Sequence, residues 1–216
     1  MRTIEVNLYT YKELDDSAKE KAREWYRNIS DDCENLLEDH EDDFEKVGNL
    51  LGITFEQRAA QRMDGKVNHH PKIWYSGFSS QGDGLCFEGT YYNAPDAVKE
   101  IAEYAPQDED LKKIAEGLTA LQTKYNGTLS AGVVHRGRYY HERSVDINIE
   151  CDNPDDDPNL DITNEDEEAF GDLLRDLMRW MYHTLERDYD WRNSDECVVD
   201  NIIANDYEFT ADGKRA

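Results

Sequence analysis

At 216 residues the chain is long enough for one sizeable domain, or at most two small ones, and its content of 38% hydrophobic and 11% aromatic residues excludes a disordered chain. Its 49 acidic residues outnumber 24 basic ones, which gives a formal net charge of -25. Nucleic acids and anionic membranes are negative too, so this charge disfavours direct binding to either. A net charge of about 2 to 8 suffices for solubility, and the excess therefore favours a basic partner.

The four cysteines are far apart and form no CxxC pair, which predicts neither a zinc site nor a disulfide framework. The opening stretch MRTIEVNLYT alternates polar and apolar residues, unlike a signal peptide. No window approaches the roughly 18 apolar residues of a membrane span. We therefore expect a cytoplasmic protein with no cofactor and no metal.

The predicted elements begin with a strand and an amphipathic helix. Alternation places Ile4, Val6 and Leu8 on one face of the strand. In the next stretch, DDSAKEKAREWYRNI, Ser17 and Glu20 have the spacing of a capping box. This spacing predicts a helix N-terminus at that point.

A second helix is predicted over 31–51, where apolar residues recur every three or four positions. Ser30 is its expected N-cap and Gly52 its expected C-terminal glycine. Within this predicted helix no lysine or arginine precedes Lys46, so its whole solvent face is expected to be anionic. An ordinary exposed helix instead interleaves Glu and Lys four residues apart.

The middle of the chain is predicted to contain several strands and two helices. The stretch ITFEQRA is expected to form one strand, and KIWYSGF and LCFEGTYY two strands joined across SSQGDG. Helices are expected around 94–104 and 109–125, followed by a hairpin that turns near Arg136 and Gly137. Its second strand, RYYHERSVDINIEC, should bury Val145, Ile147 and Ile149 and expose the residues between them.

The last elements are predicted as a long helix from Asn164, a shorter one around 197–203 and a final strand YEFTADG. The apolar spacing of the long helix predicts that six residues face inward: Phe170, Leu173, Leu174, Leu177, Met181 and Leu185. Because the hairpins favour antiparallel pairing, the expected fold is α+β, a mainly antiparallel sheet with packed amphipathic helices. No linker or repeat interrupts the chain. This favours a single domain over 1–216 with an acidic loop at about 150–168.

The acidic loop resembles the first half of an EF-hand loop, with carboxylates or amides at Asp155, Asp157, Asn159 and Asp161. Leu160 stands where the turn glycine belongs, and Asp166 stands where the bidentate Glu belongs. Specific calcium binding is therefore disfavoured.

Other candidate sites also favour simple explanations. The stretch around Gly82, Asp83 and Gly84 lacks the spacing of a phosphate-binding loop and fits a hairpin turn. The histidines show no catalytic or metal-ligand spacing, and no nucleophile motif accompanies them, so no enzyme activity is predicted; they are His69, His70, His135 and His141. A small basic cluster is expected to balance charge or to form a homodimer contact: Arg136, Arg138 and Arg143.

The density of negative charge is the strongest signal. The nine carboxylates of 31–45 give one charge per about 2.5 Å of helix, near the one per about 1.7 Å of duplex DNA. A merely solvated or halophilic acidic surface is the alternative. The residues predicted to bind a basic partner are Asp31, Asp32, Glu34, Glu38, Asp39, Glu41, Asp42, Asp43, Glu45, Asp152, Asp155, Asp156, Asp157, Asp161, Glu165, Asp166, Glu167 and Glu168.

Three stretches, YTYKELDDSAKEKAREWYR, IWYSGFSSQGDGLCFEGTYY and YEFTADGK, resemble in order a family of phage and prophage proteins, some with an antitoxin-type name. The resemblance implies a phage setting in a bacterial host and brings no catalytic residues. In surface character the chain is similar to DNA-mimicking antirestriction proteins and some anti-CRISPR proteins.

The leading hypothesis is therefore a non-enzymatic inhibitor that occupies the basic nucleic-acid groove of a host defence protein. An antitoxin that neutralises a cognate toxin is the alternative. A third hypothesis is an enzyme or metal protein that uses Asp83, Glu88 and the histidines.

Overall fold

The computed structural model of the chain describes residues 7–29, 35–61, 65, 67–152 and 161–216. The fold is α+β, as expected, and all the described strand pairs are antiparallel. The chain divides into two compact units, one of Met1–Leu36 with Leu185–Ala216 and one of Leu37–Thr184. The single-domain interpretation stays a prediction.

The first unit holds helices α1 (Asp16–Ile29) and α6 (Asp195–Ala204) and a short ladder of β1 (Tyr9–Thr10) with β10 (Glu208–Phe209). The end of the long helix α5 (Asn164–Arg192) also belongs to it. Tyr26, Val198 and Phe209 are among its core residues. Helix α1 begins one residue before Ser17, and the Asp15 carboxylate accepts from Ala18 N at 2.8 Å. The predicted capping box is therefore wrong, because Asp15 is the cap.

The second unit is built around a four-stranded sheet in the order β2 (Ile53–Phe55), β7 (Gly89–Tyr91), β8 (Leu129–His135) and β9 (Val145–Cys151). Two hairpins accompany it: β3 (Gln57–Gln61) with β4 (Val67–Pro71), and β5 (Ile73–Ser76) with β6 (Gly84–Phe87). Its helices are α2 (Glu38–Leu51), α3 (Ala97–Tyr104), α4 (Glu109–Lys124) and the first part of α5.

One face of this sheet is buried beneath helices. Tyr91, Leu129 and Val133 are buried, and the ring of Phe170 on α5 packs edge-on against Tyr91 at a centroid distance of 5.0 Å. The apolar residues of α5 predicted to face inward are buried, apart from the half-buried Leu173. The other face carries polar residues such as Asp146 and Glu150, which are exposed.

Several predicted boundaries differ from the structure, and the stretch LCFEGTYY forms the two strands β6 and β7, with Glu88 between them. The stretch ITFEQRA forms two strands, because Glu56 between them bonds through its backbone to Glu88 and Lys72. Strand β9 begins only at Val145, since the Ser144 hydroxyl bonds to the Tyr139 and His141 carbonyls and holds 136–144 as a loop. His69 and His70, for which no strand was predicted, lie in β4. Helix α2 begins at Glu38.

Other predictions are confirmed or lie outside the described residues. Gly52 ends α2 with φ 87, the left-handed conformation that glycine adopts readily. Leu8, which was predicted to lie in the first strand, is 45% exposed and precedes the described strand Tyr9–Thr10. Ile4, Val6 and Ser30 lie outside the residues that the structure describes.

Two glycines inside helices allow a stability prediction. A Cβ at Gly171 on α5 would meet only the flexible end of Arg175 at 3.2 Å and Ile147 Cδ1 at 4.0 Å. Gly171→Ala should therefore raise the free energy of unfolding by up to about 1 kcal/mol through helix propensity. Urea denaturation measures it. Gly117→Ala is the control and should destabilise, because its Cβ would lie 2.7 Å from Leu173 Cδ2. Equal effects of the two substitutions would contradict this explanation.

Candidate partner-binding surface

The predicted anionic surface lies on the outer side of α2 and on the first turns of α5, both in the second unit. Helix α2 buries Phe44, Val47 and Leu51, which turns its opposite side to solvent. Glu38, Asp39 and Asp42 are exposed there. The predicted Asp31, Asp32 and Glu34 lie outside the described residues.

Glu41, which was predicted to bind the partner, does not lie on this surface but is enclosed within the fold. Its side chain is only 10% exposed, and its Oε2 lies 2.6 Å from Nδ1 of His70 on β4. Arg58 Nη2 lies 3.9 Å from its other oxygen. Position 41 lies three residues before Phe44 on the inner face of the helix, where a carboxylate requires a partner.

Two further carboxylates of α2 are half-buried and hold neighbouring elements. Asp43 accepts a hydrogen bond from the Tyr104 hydroxyl at the end of α3, and this bond raises the pKa of Tyr104. Glu45 Oε1 accepts from Gln57 Nε2 on β3 at 2.7 Å. Both lie at the edge of the anionic surface and have a structural role there.

Asp166, in the first turn of α5, is likewise part of a hydrogen-bond network. Its Oδ2 accepts from Lys124 Nζ at 2.6 Å, from the Tyr125 hydroxyl and from Thr163 Oγ1 at 2.7 Å. Lys124, followed by the two hydroxyls, lowers the pKa of Asp166 to about 2. The carboxylate of Asp166 therefore joins the end of α4 to the start of α5. The sequence did not indicate this contact.

This network predicts a pH-dependent contribution to stability. Because the pKa of Asp166 is lowered in the folded protein, its contribution is present at neutral pH and is lost as the pH falls from about 4 to about 2. Asp166→Asn should cost about 1 kcal/mol at pH 7 and almost nothing at about pH 2. Urea denaturation across this pH range measures the difference. A cost that does not change with pH would contradict the assignment.

The carboxylates that remain at the surface form the candidate site. Glu165, Glu167 and Glu168 on α5 are exposed, as are Asp152 and Asp161. Asp155, Asp156 and Asp157 lie outside the described residues. Helix α3 adds two exposed acids that the sequence analysis missed, Glu100 and Glu103, which share a shallow groove with Lys46 of α2. The sequence indicated their exposure only through their position on the polar side of the helix predicted at 94–104.

The remaining candidate residues have structural partners. Asp83 accepts from Ser79 N at 2.8 Å and Ser80 N at 2.6 Å, beside Gly82 with φ 100, which confirms the turn between β5 and β6. Glu88 pairs with Lys72 at 2.7 Å. Burial raises the pKa of Cys86 to about 12, so its thiol is poorly suited to act as a nucleophile.

The histidines proposed for an enzyme or metal site are not gathered around one centre of suitable ligands. His135 and His141 lie at the β8–β9 loop, where His135 Nε2 is 2.9 Å from the Tyr139 carbonyl oxygen. Arg136 pairs with Asp146 at 3.0 Å, while Arg138 lies over the Tyr139 ring. Among the described residues no group of three or more His, Cys, Asp and Glu could hold a metal ion.

In the described part of the chain no helix is long and apolar enough to cross a bilayer. No curated protein and no solved structure matches the chain. A family of domains of unknown function, DUF8835, matches residues 36–195, which include all of α2 and all of α5. The chain therefore belongs to the DUF8835 family.

Proposed function

We propose that this protein is a phage-encoded acidic inhibitor that acts in the bacterial cytoplasm on a host defence nuclease or a CRISPR or restriction complex. It occupies the basic groove of that target as a mimic of nucleic acid. The supporting observation is that some of its carboxylates are paired within the fold, whereas others are exposed to solvent. Glu41 and Asp166 are used inside the fold, whereas Glu38, Asp42, Glu167 and Glu168 are exposed and pair with no other described residue.

Exposed like charges at this density repel one another, by up to about 1 kcal/mol for a pair some 4 Å apart in water. A basic groove relieves this repulsion, because the lysines and arginines that bind phosphates also bind carboxylates. Association of this kind is fast and weakens steeply with salt. The net charge of -25 adds a long-range attraction to the same target.

The test is a pull-down from bacterial lysate with two variants that change net charge equally. The first neutralises Glu38, Asp42, Glu167 and Glu168 to Gln or Asn. The matched control neutralises four exposed acids of the first unit: Glu24, Asp190, Glu196 and Asp200. We expect the wild type and the control to capture a nucleic-acid-processing protein at low salt. The first variant should lose it.

Competition with duplex DNA identifies the mode of binding. Release of the captured protein by DNA and by high salt supports mimicry of nucleic acid. Equal loss in both variants would show that net charge alone is responsible, and capture unaffected by either would refute the proposed surface. Recovery of one small toxin that DNA does not release would replace this function by that of an antitoxin.

A further inference from the structure

The central sheet of the second unit ends in β9, which pairs with β8 on one side and with no described strand on the other. The strand is seven residues long. An edge of this length can accept another strand, since its outward backbone groups are available for pairing.

The register identifies which backbone groups point outward. Asp152 N donates to Thr128 O at 3.0 Å, and Arg136 N donates to Ser144 O at 2.7 Å. Asn148 lies opposite Gly132 in the same ladder. Since bonded pairs alternate along an antiparallel ladder, the even-numbered residues of β9 bond to β8. The N–H and C=O groups of Ile147 and Ile149 therefore face away from β8.

A groove of about 590 Å³ runs between β9 and α5. Ile147 and Ile149 contribute apolar surface to it, and α5 contributes Glu167 and Glu168. Gly171, about one turn further along α5, also lines the groove, and its lack of a side chain leaves room there. Side chains at alternate positions of an added strand would enter this groove.

The charges on both faces of the edge favour a basic strand. Glu167 and Glu168 line the groove, while Asp146 and Glu150 are exposed on the opposite face of β9. If two copies paired antiparallel about Asn148, Asp146 of each would face Glu150 of the other, and like charges directly opposite are unfavourable. The cations near this edge leave the balance of charge negative. Arg136 pairs with Asp146 at the surface, and Arg175 in the groove pairs with Asp172 at 3.1 Å. Glu167 and Glu168 therefore face Arg143 as the remaining cation of the groove lining.

We propose that β9 and this groove bind an extended basic segment of a protein partner by strand addition. Backbone groups of Ile147 and Ile149 hydrogen-bond the segment, its apolar side chains contact the two isoleucines, and its basic side chains meet the carboxylates on either side. The inference rests on the proposed function in one respect, the basic nature of the partner. It names the element through which that partner is held.

The probe is a capped peptide of about nine residues that alternates valine and lysine. Amide hydrogen exchange of the full chain, read by NMR, should show Ile147 and Ile149 protected about tenfold or more at saturating peptide, with Asn148 little changed. Two further peptides carry N-methyl groups on one or the other set of alternate amides. At least one should bind about tenfold more weakly, because it lacks the donors that pair with β9.

Several outcomes would overturn the proposal. Unchanged exchange at Ile147 and Ile149, or equal binding of all three peptides, would indicate charge attraction alone. Protection that rises with protein concentration in the absence of peptide would assign the edge to a second copy.

Variants separate this proposal from the inhibitor function. The double variant Glu167→Gln with Glu168→Gln should lower the affinity for the peptide about fivefold. The double variant Glu38→Gln with Asp42→Asn should leave this affinity unchanged. The pull-down is therefore repeated with Glu38→Gln and Asp42→Asn alone. Failure of the peptide test, with capture from lysate lost in this α2 variant, would reject strand addition alone. The reverse result would reject the α2 surface and keep β9 as a binding edge.

Discussion

Replacing Gln122 with leucine is expected to lower the free energy of unfolding by about 3 to 4 kcal/mol. Gln122 on α4 is only 4% exposed, and its amide joins three groups of the sheet. Its Nε2 donates to the Leu129 carbonyl at 2.7 Å and to the Tyr91 hydroxyl at 3.2 Å. Its Oε1 accepts from Leu129 N at 3.2 Å. Leucine keeps the volume but leaves these buried groups without their partners.

Urea denaturation followed by circular dichroism measures this effect. Thr123→Val is the control, because its hydroxyl bonds only to the Thr119 carbonyl one turn earlier on the exposed side of the same helix. The control should change stability by no more than about 0.5 kcal/mol. A comparable loss in both variants would mean that a general weakening of α4, and not the bridge to β8, is responsible.

Replacing His70 with alanine is the second large effect, with an expected loss of about 2 to 3 kcal/mol at neutral pH. Nδ1 of His70 lies 2.6 Å from Glu41, whose side chain is 10% exposed. The second oxygen of Glu41 is buried without a hydrogen bond to another described residue. Removing the imidazole leaves this carboxylate desolvated, and among the described residues Arg58 at 3.9 Å is then the one cation paired with it.

His69→Ala provides the matched control, since His69 is the preceding residue of β4 and is exposed. It should cost less than about 0.5 kcal/mol. The double variant His70→Ala with Glu41→Gln should recover part of the loss, because an amide tolerates burial better than an unpaired carboxylate. Thermal denaturation of the wild type, His70→Ala, Glu41→Gln and the double variant completes the cycle. A double variant less stable than His70→Ala would show that Glu41 stabilises the fold in some other way.

Periodicity predicted the helices better than their ends. The apolar spacing of α5 identified Phe170, Leu174 and Leu177 as inward residues, and all three are buried. The start of α1 was misplaced, because Ser17 and Asp15 both suit a cap in sequence and only the backbone geometry selects Asp15. Local patterns also predicted the turn at Gly82, where the conformation itself favours glycine.

The candidate site shows the same limit more clearly. Glu41 and Asp166 were predicted to be partner-facing carboxylates because both lie in dense acidic runs of the sequence. The structure places His70 beside Glu41, 29 positions further along the chain, and Lys124 beside Asp166, 42 positions earlier. No local pattern reports such pairs, since the partners meet only when α2 packs on β4 and α4 lies beside the start of α5.

By itself the sequence determined the α+β class, the amphipathic helices and the excess of negative charge, because periodicity and composition are properties of the chain alone. Only the tertiary structure decided which carboxylates are free to meet a partner. Burial and pairing depend on neighbours far apart in sequence, so Glu41 is enclosed while Asp42, the next residue, remains exposed. The same holds for β9, whose place at the end of the described sheet follows from the order of its strands.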